Sequence, residues 1–458
     1  MTLREWYANR EVFLTGVTSN VGRTLIEKIL YSFPEAKVYV MLRSRSGFNK
    51  EDRIKQIFLS PGFERLRQID PNAISRVKVL EGNLLYDGLG LSKEDKNLLQ
   101  NVSVAFHAAG PHDGMFEFCQ ELPRLEVMVA ISCIFRHKGR ITESLQNERV
   151  PNGSVALVRV PLVGPSLREP MPGFVDVLKG PTAFMVGAGL ALGNSEFQAE
   201  IIPIDLTVNT LIAVAWERAT AKDVQGTVVY NAVSLDCTWN ELIKKGSQGN
   251  RKFTYPTFGF RGMTSSAALH WILVMLFEWL PSVLCDTILG LCGAKKRLLQ
   301  EHRKVRNALR SLESISWRSW SAERNHVYQL QQRLTPEDQD AFPVATEIDI
   351  ESYVLCAAAA ARKHCVDEAN ISLVKIFRLL FFFLVGTAIL YSLFLSSFHV
   401  IPRHDEPPCF LFRRSCNDGP EEIESSPTRL ISQLQWNSQP IRCSAAFGNR
   451  TPLYFARK

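Results

Sequence analysis

The sequence predicts an α/β protein built on a doubly wound parallel sheet, with a helical C-terminal domain and one C-terminal transmembrane helix. In the first part of the chain, short apolar segments typical of buried strands alternate with amphipathic helical segments. From Trp239 onward the pattern is helical throughout. Near the end, residues 379–398 form an apolar run without a charged residue, long enough as a helix to cross a bilayer.

The first βαβ unit, residues 12–47, indicates that the sheet is Rossmann-like. A buried strand over 12–15 leads into a turn dense in small residues. A helix opens near Val21, where apolar residues begin to recur at helical spacing, and a second strand follows over 38–42. Such a turn allows backbone N–H groups at a helix N-terminus to approach a pyrophosphate.

The turn has the pattern TGxxxxxG, with Ser19 where short-chain dehydrogenases carry a middle glycine. We expect a nucleotide cofactor to contact the residues of this turn, which are Thr15, Gly16, Thr18, Ser19, Asn20, Val21 and Gly22. Arg43 and Arg45 follow the second strand, where an acidic residue would bind the ribose of NAD. Two arginines suit a 2′-phosphate, which predicts NADPH, although solvated surface charge is the alternative interpretation.

The later elements continue the alternation. Strands are predicted over 77–80, 102–107, 127–134, 155–160 and 228–231, and helices over 51–68, 91–99 and 206–219. Ser92 is the expected N-cap of the second of these helices. Ala108 and Ala109 end the fourth strand and fit the rim where an open α/β sheet binds its ligand. The expected domains are an NADP-binding domain over 11–234 and a helical domain over 235–370.

Composition excludes some classes of function. The chain has 458 residues and a net charge of +7 with both signs abundant, a balance too dilute to predict nucleic-acid binding. Its 10 cysteines show neither CxxC nor zinc spacing, which predicts reduced thiols and no metal site. Residues 1–10 are polar, so no signal peptide is expected.

Residues 379–398 are the predicted transmembrane helix, and residues 399–458, which lack periodicity, are predicted to form a disordered tail. The apolar stretch 267–291 contains Glu278, Pro281 and Asp286. These residues favour a core helix pair or an interfacial hairpin over a second span.

The interval between the fourth and sixth strands, residues 108–154, is short for its expected contents. It must hold the fifth strand and two crossover connections, whereas a complete βαβ unit takes about 30 residues. The sequence therefore predicts that part of the usual crossover structure is missing here.

Several segments resemble the fatty acyl-CoA reductases, the male-sterility branch of the extended short-chain dehydrogenases. These include FLTGVTSNVG (13–22), VAFHAAG (104–110), REPMPGFVDVLKGPT (168–182) and RLTPEDQDAF (333–342). The resemblance implies reduction of long-chain acyl-CoA by NADPH to a fatty alcohol. It also implies that Asn83, which replaces an adenine-contacting Asp, and Leu84 line the cofactor site.

The resemblance fails at the catalytic positions. It places the family's catalytic Ser on Ser132, but the Tyr position is Gly139 and the Lys position is Glu143. Neither residue can replace a Tyr–Lys pair, which supplies the proton for carbonyl reduction. The chain is therefore an active reductase by family, a catalytically inactive membrane-anchored nucleotide- or lipid-binding relative, or an incomplete gene product. Another extended short-chain dehydrogenase is a further alternative.

The expected partners are long-chain acyl-CoA and membrane lipid, not nucleic acid, and homo-oligomerisation is left open. We expect a single-pass protein of the endoplasmic reticulum or peroxisome with its main domain in the cytosol. Asp205 and Asn209 are expected to orient the loop before their helix rather than to take part in chemistry.

Overall fold

A computed structural model describes most of the chain up to residue 399. The described residues are 1–44, 49–109, 113–137, 139–146, 148, 150, 153–175, 180–185, 189–221, 226–249, 262–291, 293, 298–365 and 371–399. The described residues divide between two compact units, the main unit, which ends at Arg378, and a second unit, which begins at Leu379. Each unit is described by itself, and the predicted tail over 399–458 lies outside the described residues apart from its first.

The strands, in chain order, are β1 Glu11–Thr15, β2 Lys37–Leu42, β3 Val77–Glu81, β4 Val104–His107, β5 Val127–Cys133, β6 Arg140–Ile141, β7 Val155–Val160, β8 Leu162–Gly164, β9 Leu190–Leu192, β10 Ile201–Pro203, β11 Val228–Asn231, β12 Gly262–Thr264 and β13 Ser321–Ala322. The helices are α1 Leu3–Tyr7, α2 Asn20–Ser32, α3 Lys50–Phe58, α4 Glu64–Ile69, α5 Lys93–Leu98, α6 Asp113–Gln120, α7 Gly180–Met185, α8 Ile204–Thr220, α9 Trp239–Gly249, α10 Ala267–Val274, α11 Leu280–Leu291, α12 Leu298–Ser316, α13 Asn325–Arg333, α14 Pro336–Ala341, α15 Ile350–Cys365 and α16 Ile371–His399.

Seven strands form the central sheet in the order β11-β7-β5-β4-β1-β2-β3. Every neighbouring pair is parallel. The order reverses direction between β1 and β4, which is the switch point of a doubly wound sheet. The predicted Rossmann-like fold class is confirmed.

Side chains of each strand alternate between two hydrophobic cores, one on each face of the sheet. Val12 and Leu14 enter the core that holds α2 and α8, whereas Phe13 between them enters the core that holds α6. This alternation is the period-2 geometry of a strand buried on both faces. Because a core covers each face of the sheet, a ligand can reach the sheet at the strand ends.

Two predicted elements differ in the structure. The single helix expected over 51–68 is two helices, α3 and α4, because Pro61 begins a short 3-10 turn between them. Residues 161–189, a segment rich in proline and glycine for which the sequence predicts a long loop, contain β8 and α7. The Ser92 cap is confirmed, since its hydroxyl accepts the Asp95 N–H at 3.0 Å.

The interval 108–154 keeps only one of its two expected crossover helices. Helix α6 connects β4 to β5 in the usual way. In the described part of the connection from β5 to β7, there is a 3-10 turn over Ile134–Arg136 and the two-residue strand β6, but no α-helix. The prediction of missing crossover structure holds for this second connection.

A further hydrophobic core joins α9, α12 and α15, with Trp239, Leu309 and Tyr353 among its buried side chains. The proposed division near residue 235 stays a prediction. The stretch 267–291 is neither a helix pair nor a hairpin: α10 passes through a π-helical segment, Met275–Trp279, directly into α11.

Helix α16 contains the predicted transmembrane segment. Its window Leu379–Ser396 has a mean hydropathy of 2.2, and none of it is buried. Length and composition suit a bilayer span.

Candidate functional site

The glycine turn after β1 is closely packed against the end of β4. Gly16 has a φ of +83°, and a Cβ there would lie 2.5 Å from the carbonyl carbon of Ala108. A Cβ on Gly22 would lie 2.3 Å from the Gly16 oxygen. Both glycines are therefore required by close backbone approach, and Gly16 also by its left-handed conformation.

Ser19, the departure from the dehydrogenase glycine pattern, is used within the turn. Its hydroxyl accepts the Gly22 N–H at 3.0 Å, which makes Ser19 the N-cap of α2. The same hydroxyl donates to the Gly16 carbonyl at 2.8 Å. Ser19 thus holds the turn in shape, while Thr18 beside it is exposed.

The predicted cofactor residues lie at one edge of the sheet. The turn follows β1, Arg43 follows β2, Asn83 and Leu84 follow β3, and Ala108 and Ala109 follow β4. Because these strands are parallel neighbours, their carboxyl ends meet along this edge. Arg43 is exposed, and its carbonyl accepts a bond from the Arg53 guanidinium. Arg45 lies outside the described residues.

Not every predicted contact is open to a ligand. Thr15 is fully buried, and its hydroxyl lies 2.7 Å from Nδ1 of His107. Asn83 is partly engaged, because its Oδ1 accepts the Leu85 N–H at 3.2 Å. Among the described members of the predicted set, the accessible ones are the exposed Thr18 and Arg43 and the half-buried Gly16, Ser19, Asn20, Asn83, Leu84 and Ala109.

Ser132 lies near the carboxyl end of β5, opposite Arg159 of β7. It is buried, and its hydroxyl has no hydrogen-bond partner within the described part of the chain. A buried hydroxyl normally has a partner, so this one is available to an incoming polar atom.

Gly139 and Glu143, the two residues that the resemblance assigns to the catalytic pair, belong to a segment with a structural role. Gly139 has a φ of +74°, and a Cβ there would meet nothing within 4 Å. Glu143 is committed elsewhere, since its two carboxylate oxygens accept the backbone N–H of His326 at 3.1 and 3.0 Å. Strand β6, between them, pairs with β13. This segment fastens the β5–β7 connection to the region before α13.

A buried ion pair that sequence reasoning missed supports the same segment. Arg159 is completely buried in β7, and its guanidinium donates to Glu148 at 2.7 and 2.9 Å. It also donates to the carbonyls of Thr142 and Ser144 at 2.8 and 2.7 Å. The available signal was an arginine within an otherwise apolar strand, since a buried charge requires a partner.

Glu148 has an altered acidity as a consequence. Burial raises the pKa of Glu148, but the contacts from His137 and Arg159 together outweigh burial and hold that pKa well below its usual range. His137 Nε2 lies 3.0 Å from the carboxylate. Glu148 is therefore a structural anion rather than a proton donor.

Asp205 holds a loop, but it is the loop after β8 rather than the segment directly before its own helix. Its carboxylate accepts the backbone N–H groups of Leu167, Arg168 and Glu169 at 2.7–3.1 Å. Glu169 in turn accepts from Lys28 and Arg65, which tie this loop to α2 and α4. In the regions that the structure describes, no cluster of His, Cys, Asp or Glu could hold a metal ion.

The parallel sheet, its switch point and the glycine turn define a Rossmann-like fold. A solved reductase domain of a nonribosomal peptide synthetase from Mycobacterium tuberculosis shares this fold with a TM-score of 0.51 at 15% identity, covering 77% of this chain and 91% of that one. The terminal R domain of the myxalamid pathway gives 0.50 at 14%, covering 79% and 92%.

Two family models, both described as male sterility protein, match residues 14–128 and 277–368. Fatty acyl-CoA reductase 1 of Mus musculus is 24% identical, over 80% of this chain and 87% of that protein. Fatty acyl-CoA reductase wat of Drosophila melanogaster is 23% identical, over 74% and 81%. Together these matches support membership of the fatty acyl-CoA reductase family of male sterility proteins.

Proposed function

We propose that this protein binds NADPH and long-chain acyl-CoA as an alcohol-forming fatty acyl-CoA reductase does, but turns them over little or not at all. The proposal rests on the side chains at positions 139 and 143, neither of which can act as the catalytic acid. Gly139 has no side chain to donate a proton, and Glu143 is bound to the backbone of His326. Carbonyl reduction needs a positioned acid, because charge develops on the oxygen as hydride adds to the carbon.

The nucleotide half of the site supports cofactor binding. The close approach at Gly16 and Gly22 keeps the turn tight, and the N-terminus of α2 favours an anion through its oriented N–H groups. The residues proposed to hold the cofactor are Thr15, Gly16, Thr18, Ser19, Asn20, Val21, Gly22, Arg43, Arg45, Asn83, Leu84, Ala108 and Ala109. Thr15 and Ser19 act here by shaping the turn. NADPH supplies a hydride when bound; these residues supply orientation and charge complementarity.

NADPH is proposed over NADH because basic side chains follow β2. Arg43 is exposed at the strand end, with its backbone held by Arg53. A guanidinium can bind a phosphate through two parallel hydrogen bonds. Arg45 is proposed to contact the same phosphate because it lies two residues after Arg43 in the sequence.

An active reductase is the second candidate, and Ser132 is the observation that favours it. Its unpartnered hydroxyl could donate to a substrate carbonyl oxygen at the carboxyl end of β5. Ser132 alone lacks an acid to pair with, so we propose that it supports residual turnover at most.

We further propose that α16 spans the membrane of the endoplasmic reticulum or peroxisome once. The main unit would face the cytosol, where NADPH and acyl-CoA are available. The acyl chain is proposed to be long because an apolar substrate suits an enzyme held at a bilayer.

The test uses the purified, detergent-solubilised full chain. We expect titration calorimetry to detect NADPH binding. We expect fatty alcohol formation from palmitoyl-CoA to be slower by about 10²–10⁴-fold than for mouse fatty acyl-CoA reductase 1 assayed beside it. Absence of NADPH binding would overturn the cofactor proposal. Turnover equal to that of the mouse enzyme would establish the active reductase, and loss of that turnover in Ser132→Ala would assign its catalytic residue.

A further inference from the structure

The continuous helix over residues 267–291, here called the surface helix, presents an unusually apolar outer face. Trp271 is 64% exposed and Ile288 50%, and Leu276, Leu280 and Leu284 are exposed between them. Along this helix the single exposed polar side chain is Thr287, whose hydroxyl already donates to the Val283 carbonyl at 2.8 Å. A contiguous face of this kind marks an interaction surface rather than ordinary surface variation.

The inner face of the same helix carries two acidic residues that bind backbone N–H groups of the surrounding unit. Glu278 is 1% exposed and accepts the Leu190 N–H at 3.2 Å. Asp286 accepts the N–H groups of Leu298 and Leu299 at 3.1 and 3.0 Å. The two acidic residues therefore attach the helix to its own unit and leave the outer face without a charge.

This arrangement excludes a membrane-spanning position for the surface helix. Its 25 residues are long enough to cross a bilayer, and its mean hydropathy is 1.8. Crossing would place Glu278 and Asp286 in hydrocarbon and break their contacts with Leu190 and Leu298, which is strongly unfavourable. A helix attached on one side and apolar on the other is suited to lie in the plane of an interface.

We propose that the outer face of the surface helix docks on the surface of an anionic lipid bilayer. Basic residues flank the helix in the sequence, Arg261 before it and Lys295, Lys296 and Arg297 after it, and no acidic residue lies among them. Clustered Lys and Arg attract anionic headgroups, while exposed Trp and Leu side chains enter the acyl boundary. The four basic residues lie outside the described part of the structure.

Two observations favour lipid over a protein partner. The same chain carries Leu379–Ser396, an apolar helix without a buried residue that is long enough to cross a bilayer. A specific protein interface also carries about one hydrogen bond per 100–200 Å². The outer face of the surface helix offers no donor beyond the Trp271 indole and the satisfied Thr287 hydroxyl. The inference is independent of the reductase proposal, because it needs neither cofactor nor turnover.

The test is photocrosslinking of the full chain in nanodiscs of phosphatidylcholine with about 30% phosphatidylserine. The photoreactive residue p-benzoylphenylalanine replaces Trp271, Leu276 or Leu284 in separate variants. Control variants carry it at Leu59 and Tyr328, apolar positions that are 72% and 53% exposed elsewhere on the same unit. We expect several-fold more lipid adduct from the three surface-helix positions than from the controls, and less of it in nanodiscs without phosphatidylserine.

Other outcomes overturn the proposal. Adducts to a second copy of the chain or to an added protein would identify a protein interface. Lipid adducts no more abundant than at Leu59 and Tyr328 would show that the face does not reach the bilayer. Thermal unfolding of each variant checks the fold, and the three positions report independently, so one misfolded variant does not remove the test.

Discussion

The carboxylate of Glu143 accepts the backbone N–H of His326 through both oxygens, at 3.1 and 3.0 Å. These residues are far apart in the sequence, and their contact joins the short β5–β7 connection to the start of α13. Paired strands β6 and β13 lie beside this contact, with an ion pair of 2.8 Å between Arg140 and Glu323. The segment that the resemblance assigns to the family's catalytic pair thus has a structural role in this chain.

Restoring the two catalytic side chains should not restore activity. In Gly139→Tyr/Glu143→Lys, the tyrosine must adopt the left-handed conformation of Gly139, and the lysine can no longer accept the His326 N–H. We expect a lower melting temperature and no gain in fatty alcohol formation from palmitoyl-CoA. A reductase rate that rises about a hundredfold or more over the unchanged chain, roughly the smallest typical effect of a positioned acid, would show that the dyad fits here.

The Arg159–Glu148 pair should be essential for stability. In Glu148→Gln, the guanidinium of a completely buried arginine loses its charged partner, which typically costs about 3–5 kcal/mol. The double variant Glu148→Gln/Arg159→Met should lose less free energy of unfolding than the two single variants lose in sum, because it no longer contains an unpaired buried charge. Urea unfolding of the detergent-solubilised chain measures all three variants.

The control for that series is the ion pair of Arg140 and Glu323, whose side chains are 74% and 28% exposed. Glu323→Gln should change the free energy of unfolding by only about 0–1 kcal/mol. Equal losses in Glu148→Gln and Glu323→Gln would contradict the special role of the buried pair.

Acid should weaken the protein through the same carboxylate. The pKa of Glu148 is lowered in the folded state, so the folded protein binds fewer protons at this carboxylate than the unfolded chain does. Its contribution to the free energy of unfolding is complete above about pH 4.3, the pKa of a glutamate in the unfolded chain. This contribution falls as the pH drops below that value. The stability of the unchanged chain should therefore decrease more steeply below about pH 4 than that of Glu148→Gln. Parallel stability curves for the two would refute this assignment.

The preference for NADPH or NADH tests whether the arginines after β2 bind a 2′-phosphate. We expect NADPH to bind more tightly than NADH, since a bidentate phosphate contact contributes about 1.5–3 kcal/mol. Arg43→Ala/Arg45→Ala should remove the preference. Lys37→Ala, at the opposite end of the same strand, should leave it unchanged. Titration calorimetry with both cofactors decides this, and equal affinities for the unchanged chain would rule out a 2′-phosphate site.

The sequence was sufficient where local pattern determines structure. Short apolar runs predicted the strands, and a serine at the start of a helical segment predicted the Ser92 cap. The polar stretch 51–68 was predicted as one helix, although Pro61 within it begins the turn that divides it into two. The contacts of Arg159 with Glu148 could not be predicted, because they depend on the path that the chain takes where a crossover helix is absent. Likewise, only tertiary contacts of Glu278 and Asp286 explain why the surface helix continues without a turn.

The orientation of α16 in the membrane is the last prediction. Basic residues near the span are slightly more numerous on its N-terminal side, Arg362, Lys363, Lys375 and Arg378, than on its C-terminal side, Arg403, Arg413 and Arg414. Cytoplasmic flanks carry the excess of Lys and Arg, so we expect the main unit in the cytosol and residues after His399 in a lumen. Asn449-Arg450-Thr451 is an N-glycosylation acceptor there. In the endoplasmic reticulum Asn449 should carry a glycan that Asn449→Gln removes, whereas in peroxisomes it should be bare. Protease treatment of sealed membranes should digest the main unit in either organelle, and digestion of the tail with the main unit protected would reverse the orientation.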